Sequence, residues 1–212
     1  MSAPQSYYVP VDAGEAEFTE KRSRFLGHVR RVETEAEARA FLDEMRKKYY
    51  DARHNCWCYV LHEGGVVRYG DDGEPQGTAG QPMLNVFQRE GVENVVCVVT
   101  RYFGGVLLGA GGLTRAYAKS AKDALDAAGK ARMRLWSAVT VDCPYPMLER
   151  LKLLAAAHGG TVEGTDFGAA VSIRILLPQE NAAGFDAALT ELSAGTMTAR
   201  RESERFLPGP RE

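Results

Sequence analysis

The stretch NVVCVVTRYFGGVLLGAGGLTRAYAKSAKDAL, at residues 94–125, decides the fold of the first half of the chain. Residues 94–103 form a continuous, largely apolar run rich in β-branched side chains, which predicts a buried central strand. The glycine-rich residues 104–112, called the glycine segment below, predict a loop, and the helix that follows is expected to end near Gly129. One stripe of this helix is expected to face inward, at Leu113, Tyr117, Ala121, Ala124 and Leu125.

The residues before this stretch predict further strands and two helices. Four segments have the pattern of strands, at 6–11, 15–32, 54–62 and 65–70. A helix is expected over 34–49, where Thr34 and Glu37 have the spacing of a capping box. A polar loop is expected at 71–77, called the acidic loop below. Thr78 and Gln81 predict a second capping box, which opens a helix that ends at Gly91.

After Lys130 the pattern of elements starts again. The order is strand, helix, two strands, helix and strand, over 133–143, 146–158, 161–166, 169–177, 179–194 and 196–206. This βαββαβ order is that of the ferredoxin-like split motif. We therefore expect an α+β protein of two domains, 1–129 and 130–212, with a frayed tail at 207–212.

Composition restricts the class of protein. With 45% hydrophobic and 25% charged residues, the 212-residue chain is not expected to be disordered. The 26 Lys and Arg against 28 Asp and Glu argue against a strongly basic nucleic-acid domain but leave room for a local basic patch. No apolar run reaches the roughly 18 residues of a membrane span, and residues 1–18 are not expected to form a secretory signal. Four cysteines in such a chain predict reduced thiols and a cytoplasmic protein without a membrane partner.

The glycine segment is the first candidate site. Twelve of the 22 glycines lie between Gly64 and Gly112, a density that favours positive φ or close approach of a ligand. A helix N-terminus after a glycine loop suits an anion, although the spacing matches neither the P-loop nor the dinucleotide motif. The alternative is a tight turn that packs on the sheet. The candidate glycines are Gly104, Gly105, Gly109, Gly111 and Gly112.

Two clusters suggest a metal ion. Asp71, Asp72 and Glu74 place three carboxylates within four residues, which suits Mg²⁺ beside a bound phosphate. The alternative is a solvated turn. Strand alternation also puts His54, Cys56 and Cys58 on one face, but a fourth ligand is missing and buried thiols are common on strands. We therefore expect no cofactor, with magnesium as the alternative.

A basic surface is the last candidate. Residues 21–31 contain five cations and no acid, and Arg115, Lys119 and Lys122 form a stripe on the helix after the glycine segment. Alternation is expected to place Arg22, Arg24, His28 and Arg30 on one strand face and Phe25 and Val29 on the other. Such cations can neutralise phosphates, or they can form an ordinary solvated face. The candidate phosphate contacts are Lys21, Arg22, Arg24, Arg101, Arg115 and Lys119.

Four strings resemble the YigZ/IMPACT family. They are KRSRFLGHV (21–29), DARHNCWCYV (51–60), YGDDGEPQGTAGQPML (69–84) and VVTRYFGGVLLGAGGLTRAYAKSAKDAL (98–125). The resemblance covers most of residues 20–128, and its family-motif loop contains Asp71, Asp72, Glu74, Pro75, Gly77, Thr78 and Gly80. It implies a first domain like ribonuclease PH and elongation factor G domain IV. It also implies a second domain like the ferredoxin-like domains of elongation factor G.

The resemblance also implies a role in translation, because eukaryotic relatives regulate a stress kinase of the initiation pathway. Our leading hypothesis is a cytoplasmic, translation-associated regulator that binds RNA or a ribosomal component through the basic, glycine-rich surface. One alternative is a magnesium-dependent enzyme acting on a phosphorylated small molecule, although no general base or nucleophile is evident. Another is a regulator that binds proteins and no nucleic acid. The oligomeric state stays open.

Overall fold

The structure is a computed structural model that describes residues 7–212, so Ser6 of the expected strand 6–11 lies outside the described residues. The chain divides into two compact units. The first unit ends at Arg132 and also includes Pro208–Glu212, and the second is Met133–Leu207. The expected division into 1–129 and 130–212 differs from this at residues 130–132 and at the last five residues, which belong here to the first unit. Among the helices of residues 7–212, none is both long and apolar enough to cross a bilayer.

The first unit contains an antiparallel sheet of five strands. In chain order its strands and helices are β1 (Tyr8–Pro10), β2 (Gly14–Glu20), β3 (Ser23–Arg31), α1 (Glu35–Lys48), β4 (His54–Leu61), β5 (Val66–Gly70), α2 (Gly80–Glu90), β6 (Val95–Tyr102) and α3 (Ala110–Ala128). The strand order in the sheet is β2-β3-β6-β4-β5, which puts β6 at the centre. β1 lies outside this sheet and pairs with residues 130–132.

Both faces of β6 are buried, which confirms the predicted central strand. Cys97 and Val99 belong to the apolar cluster that includes residues of α2 and α3. Val96 and Val98 belong to the cluster that includes residues of α1. Helices therefore cover both faces of the sheet. A strand that is buried on both faces needs apolar side chains at successive positions, which explains the continuous apolar run at 94–103.

The two predicted capping boxes have different outcomes. The box at Thr34 and Glu37 is confirmed, because each side chain binds the other residue's backbone N–H. The box at Thr78 is wrong, because α2 begins at Gly80 and the Thr78 hydroxyl donates to the carbonyl of Pro75 at 2.7 Å. The carboxylate of Asp71 accepts the N–H groups before this helix instead. The helix ends at Gly91 as predicted, with φ of 63°.

The predicted loop over the glycine segment is too long. α3 begins at Ala110, so Gly111 and Gly112 lie in its first helical turn. The physical reason is that Gly109, with φ of 73°, ends the loop, whereas the next two glycines have ordinary helical φ. The inward stripe of α3 and its end at Gly129 are confirmed.

The second unit has the predicted order of strands and helices. They are β7 (Lys130–Cys143), α4 (Leu148–Ala157), β8 (Thr161–Phe167), β9 (Val171–Pro178), α5 (Ala182–Ser193) and β10 (Ala199–Arg211). β7 lies between β9 and β10, and β8 follows β9 at the edge. Apolar side chains of β9 pack with those of the two helices, including Leu151, Ile173, Ile175, Phe185 and Leu189.

The expected frayed tail is wrong. β10 continues to Arg211, and the N–H of Glu212 donates to the carbonyl of Lys130 at 2.8 Å. The guanidinium of Arg211 donates to Asp12 and to the carbonyl of Ala127, both at 3.0 Å. These partners are far away along the chain, so local composition does not reveal them.

Candidate functional site

A cavity of about 350 Å³ lies where β6 leads into α3, and we call it the β6–α3 cavity. Its polar lining includes Arg53, His54, Glu74 and Arg101, and its apolar lining includes Phe103 and the residues at 107–110. The acidic loop and the glycine segment therefore meet at one cavity. The magnesium-dependent enzyme alternative requires this arrangement, because its carboxylates and its phosphate-binding glycines must lie in one pocket.

A buried ion pair forms one wall of the cavity. Nη1 of Arg101 donates to Oε1 of Glu74 at 2.7 Å, and the two side chains are 6% and 3% exposed. The hydroxyl of Tyr117 donates to the same oxygen at 2.7 Å. Burial raises the pKa of Tyr117 far above its usual range, so this hydroxyl keeps its proton. Nη2 of Arg101 donates to the hydroxyl of Ser23 at 3.3 Å.

Arg101 therefore differs from the surface phosphate contact that the sequence suggested. Its charge is buried and balanced by Glu74, because the side chain points from the central strand into the protein rather than to the surface. Its Nε is also buried and has no hydrogen-bond acceptor among the described residues. A buried N–H without an acceptor is rare in a folded protein.

The carboxylates of the acidic loop hold the loop itself. Asp71 accepts three backbone N–H groups, from Gly77 at 2.8 Å, Ala79 at 3.1 Å and Gly80 at 2.8 Å. Asp72 accepts the backbone N–H of Asn55 at 2.6 Å. With Glu74 committed to Arg101, each carboxylate already has protein donors. Across residues 7–212, no three His, Cys, Asp or Glu are grouped to hold a metal ion. This geometry does not favour the magnesium alternative.

The remaining residues of the family-motif loop have structural contacts. The Pro75 carbonyl accepts both the backbone N–H and the hydroxyl of Thr78. Gly77 has φ of 77°, which favours glycine. A Cβ on Gly80 would lie within 3.0 Å of the Gly70 backbone, so α2 begins against β5. The loop is therefore a rigid wall of the cavity.

His54, Cys56 and Cys58 do not converge on one point. Nδ1 of His54 lies 2.9 Å from the carbonyl oxygen of Asp72. Because a carbonyl only accepts, Nδ1 carries the proton, and Nε2 is the nitrogen without a partner among the described residues. The thiol of Cys56 donates to the Asp71 carbonyl at 2.9 Å, and burial raises the pKa of Cys56 and of Cys58. The geometry supports neither a zinc set nor a thiolate nucleophile.

The glycine segment combines packing with an open helix N-terminus. A Cβ on Gly104 would lie 2.1 Å from backbone atoms of Arg22, so this glycine packs against the turn between β2 and β3. Gly105 and Gly109 have positive φ and open space where a Cβ would stand. No side chain caps α3 at Gly109. The first N–H groups of α3 have no intrahelical acceptor and remain available to an anion.

The expected basic surface is only partly assembled. Lys21 and Arg22 form the turn between β2 and β3, with φ of 45° and 68°, so Arg22 does not lie on the strand face with Arg24 as expected. A hairpin needs such residues at its turn, which interrupts the alternation. Lys21, Arg115 and Lys119 line a second cavity of about 160 Å³ beside Leu108.

The pairing of these cations separates them into two groups. Arg24 binds Glu17 at 2.8 Å, and Lys119 binds Asp123 on the next turn of α3. Within residues 7–212, Lys21, Arg22 and Arg115 have no acidic partner within salt-bridge distance, and we call these three the basic rim. Phe25 and Val29, which were expected on the strand face opposite these cations, are both buried.

Sequence reasoning missed three residues of the site. Arg53 was given no role, and Tyr117 was assigned only to the core; His54 was considered only as a metal ligand. Phe103, which is 44% exposed, ends the apolar run of β6. Two features of the sequence could have indicated a buried polar network. One is the hydroxyl of Tyr117 on the buried stripe of α3, and the other is Arg101 inside the apolar run of β6.

Comparisons with known proteins identify the family. The model of the Impact N-terminal domain matches residues 21–125, and a domain of unknown function, DUF1949, matches residues 141–196. IMPACT family member YvyE of Bacillus subtilis (strain 168) is 36% identical over 191 residues, covering 90% of this chain and 88% of that protein. IMPACT family member YigZ of Escherichia coli (strain K12) is 35% identical over 180 residues, covering 84% and 88%.

A solved structure has a similar fold. It is described as "Crystal structure of an hypothetical protein", is 32% identical, and aligns with a TM-score of 0.58 over 94% of this chain and 98% of that one. The Impact N-terminal match contains every residue of the β6–α3 cavity named above. Because relatives this similar extend over most of the chain and most of their own length, the chain belongs to the IMPACT family.

Proposed function

We propose that the protein is a cytoplasmic, translation-associated regulator that binds RNA through the surface around the N-terminus of α3. The observation that carries this proposal is the basic rim. Lys21 and Arg115 line one cavity together with Gly112, and Arg22 lies against Gly104. Three residues whose cationic side chains have no acidic partner among the described residues thus lie in α3 or in the turn that packs against the glycine segment, and no side chain caps the N-terminus of α3. Both features attract phosphate groups.

Exposed apolar side chains beside the rim supply a second kind of contact. Phe103 is 44% exposed and Leu107 is 81% exposed, and both lie on the glycine-segment side of the unit. Single-stranded RNA is commonly held by phosphate contacts together with bases stacked on aromatic rings. Phe103 is the ring on which a base would stack.

The fold assignments implied by the resemblance support a role in translation. The sheet of the first unit, with helices on both faces, is compatible with a fold like ribonuclease PH and elongation factor G domain IV. In the second unit the strand order β10-β7-β9-β8 is compatible with a ferredoxin-like domain. Folds host many functions, so the site carries more weight than this likeness.

The test is binding of a fluorescent single-stranded oligoribonucleotide, measured by anisotropy over a range of salt. If the three rim cations contact phosphates, log K should fall with log salt at a slope of about 2, from roughly 0.7 per contact. The test variant is Lys21→Asn, Arg22→Asn and Arg115→Ala, with Asn chosen because it tolerates positive φ. The control variant carries Lys47→Ala, Arg68→Ala and Arg89→Ala, which remove the same charge from exposed sites elsewhere in the first unit.

The rim variant is expected to bind RNA at least about tenfold more weakly at low salt and with a flatter salt dependence. The control variant is expected to match the wild-type protein closely. Undetectable RNA binding at low salt, or equal loss in both variants, contradicts the proposal. A protein partner that survives nuclease treatment would then favour the protein-binding alternative.

A second candidate function is action on a phosphorylated small molecule. The specific observation in its favour is that the acidic loop and the glycine segment line one cavity. The carboxylates bind protein donors, so this candidate is carried by the cations, the helix N-terminus and His54 rather than by a magnesium site. A ligand that fits the cavity is its first requirement.

A further inference from the structure

We propose that the β6–α3 cavity binds a small phosphate monoester with a planar apolar body, of the nucleoside monophosphate class. This inference rests on the second candidate function. The cavity shares the N-terminus of α3 and Phe103 with the proposed RNA surface, but the three residues of the basic rim do not line it. The cavity, of about 350 Å³, lies within the size range of small-molecule sites. It also has the mixed lining of such sites, with apolar walls and a few polar groups.

The phosphate end is defined by donors without acceptors. Gly109 and Ala110 line the cavity, so the first turn of α3 borders it with N–H groups that no side chain caps. Arg53 also lines the cavity, is exposed, and has no acidic partner among the described residues. Backbone donors at a helix N-terminus, together with a guanidinium, suit the oxygens of a phosphate dianion.

Arg101 supplies the independent observation that points to a ligand. It lines the cavity, its side chain is 6% exposed, and its Nε has no acceptor among residues 7–212. Its two other nitrogens are held by Glu74 and Ser23, so the guanidinium keeps a fixed orientation. A ligand oxygen that reaches Nε from the cavity would supply the acceptor that this N–H lacks.

The apolar end suits a flat ring. Phe103 and Leu107 expose large side chains, and Pro75, Leu108 and Leu113 continue the same wall. Exposed apolar side chains that line a concave surface indicate a ligand contact more strongly than scattered ones do. His54 adds a polar edge, because its Nδ1 is committed to Asp72 and leaves Nε2 for a hydroxyl or ring nitrogen.

The probes are adenosine 5′-monophosphate, inorganic phosphate and adenosine, titrated into the full chain by calorimetry and by amide chemical shifts. We expect the monophosphate to bind at least about tenfold more tightly than either fragment, because only it satisfies both ends of the cavity. Amide shifts are expected at Ala110, Gly111 and Gly112. Absence of monophosphate binding at millimolar concentration, or binding without these shifts, overturns the proposal.

The matched variants are Arg53→Ala and Arg68→Ala, since both arginines are exposed, Arg53 directly before β4 and Arg68 on the neighbouring β5, and only Arg53 lines the cavity. Arg53→Ala is expected to weaken monophosphate binding about tenfold, and Arg68→Ala is expected to leave it unchanged. Equal binding by both variants and the wild-type protein contradicts the assignment. The rim variant is expected to lose RNA and retain the monophosphate, so failure of one proposal is distinguishable from failure of the other.

The same chemistry occurs at the end of a 5′-phosphorylated RNA. Two oligoribonucleotides, one with a 5′-phosphate and one with a 5′-hydroxyl, distinguish an RNA end from a free monophosphate as the ligand. Preference for the phosphorylated RNA, lost in Arg53→Ala, would identify the RNA end as the ligand and would support the site. Equal binding of the two RNAs, together with tight monophosphate binding, would identify the free small molecule.

Discussion

Arg101 and Glu74 form an ion pair inside the first unit, with 2.7 Å between Nη1 and Oε1 and side-chain exposures of 6% and 3%. Arg24 and Glu17 form a pair of similar length, 2.8 Å, whose side chains are 52% and 47% exposed. Taking two charges out of water is costly, so a buried pair contributes little net stability by itself. Its effect here is to fix two side chains that line the β6–α3 cavity.

Removal of one partner of the buried pair is expected to destabilise the first unit strongly. Glu74→Gln leaves the Arg101 charge buried without a counter-ion, which costs about 3–5 kcal/mol of unfolding free energy. Glu17→Gln is expected to cost little, because water screens the exposed Arg24. Urea unfolding followed by tryptophan fluorescence measures both. Similar losses from the two variants would show that the pair at Arg101 is not effectively buried.

The carboxylate of Asp71 is expected to determine the order of the acidic loop. Asp71→Ala removes the acceptor of three N–H groups, so the free energy of unfolding should fall by about 2–3 kcal/mol. Hydrogen exchange should accelerate at Gly77, Ala79 and Gly80. Asp43→Ala, at an exposed position of α1, is the control and should leave these amides unchanged. Unchanged protection in Asp71→Ala would contradict this role.

The glycine segment contains two glycines that should respond oppositely to alanine. Gly104→Ala places a Cβ 2.1 Å from the backbone of Arg22, and relieving that overlap should cost at least about 1–3 kcal/mol. Gly111 lies in the first turn of α3, and its nearest neighbour would be 3.5 Å away, at a side-chain nitrogen of Arg115. Gly111→Ala should therefore be neutral or stabilise by up to about 1 kcal/mol. Thermal unfolding of the two variants tests this difference in stability. Equal destabilisation of both variants would contradict the geometry.

Elements that depend on neighbouring residues could be predicted from the sequence. The Thr34 capping box, the apolar run of β6 and the end of α3 at Gly129 each involve residues within one turn or one strand. Long-range partners could not be predicted in this way. The cap at the start of α2 comes from Asp71, nine residues before Gly80, and Arg211 binds Asp12, which is 199 positions away.

The sequence predicted separate segments of the candidate site but not that they would meet at one cavity. The sequence indicated the glycine segment and the acidic loop, but their meeting depends on β4 and β6 being neighbours in the sheet. Arg101 was expected among the phosphate contacts of the basic surface. Its burial requires Glu74, which is 27 residues away in a loop whose position the sequence does not define.

His28 gives the first unit a dependence on pH that can be isolated by mutation. This residue is 4% exposed on β3, and its Nε2 is buried without an acceptor among the described residues. Burial lowers the pKa of His28 below its usual value, and attraction from Glu15, whose carboxylate lies 3.3 Å from Nδ1, opposes this shift. We consider burial dominant, because Glu15 is 68% exposed and nearby Lys48 repels a second positive charge.

The sign of the effect follows from proton binding. As pH falls below about 6.5, the histidine of the unfolded chain takes up a proton before the folded His28 does, so acid favours unfolding. The stability that His28 contributes is therefore complete above that pH and is lost as pH falls towards the lower folded pKa. Urea midpoints at pH 7.5 and pH 5.5 should differ more for the wild-type protein than for His28→Gln. If His28→Gln showed the same difference as the wild-type protein, His28 would not be the group responsible.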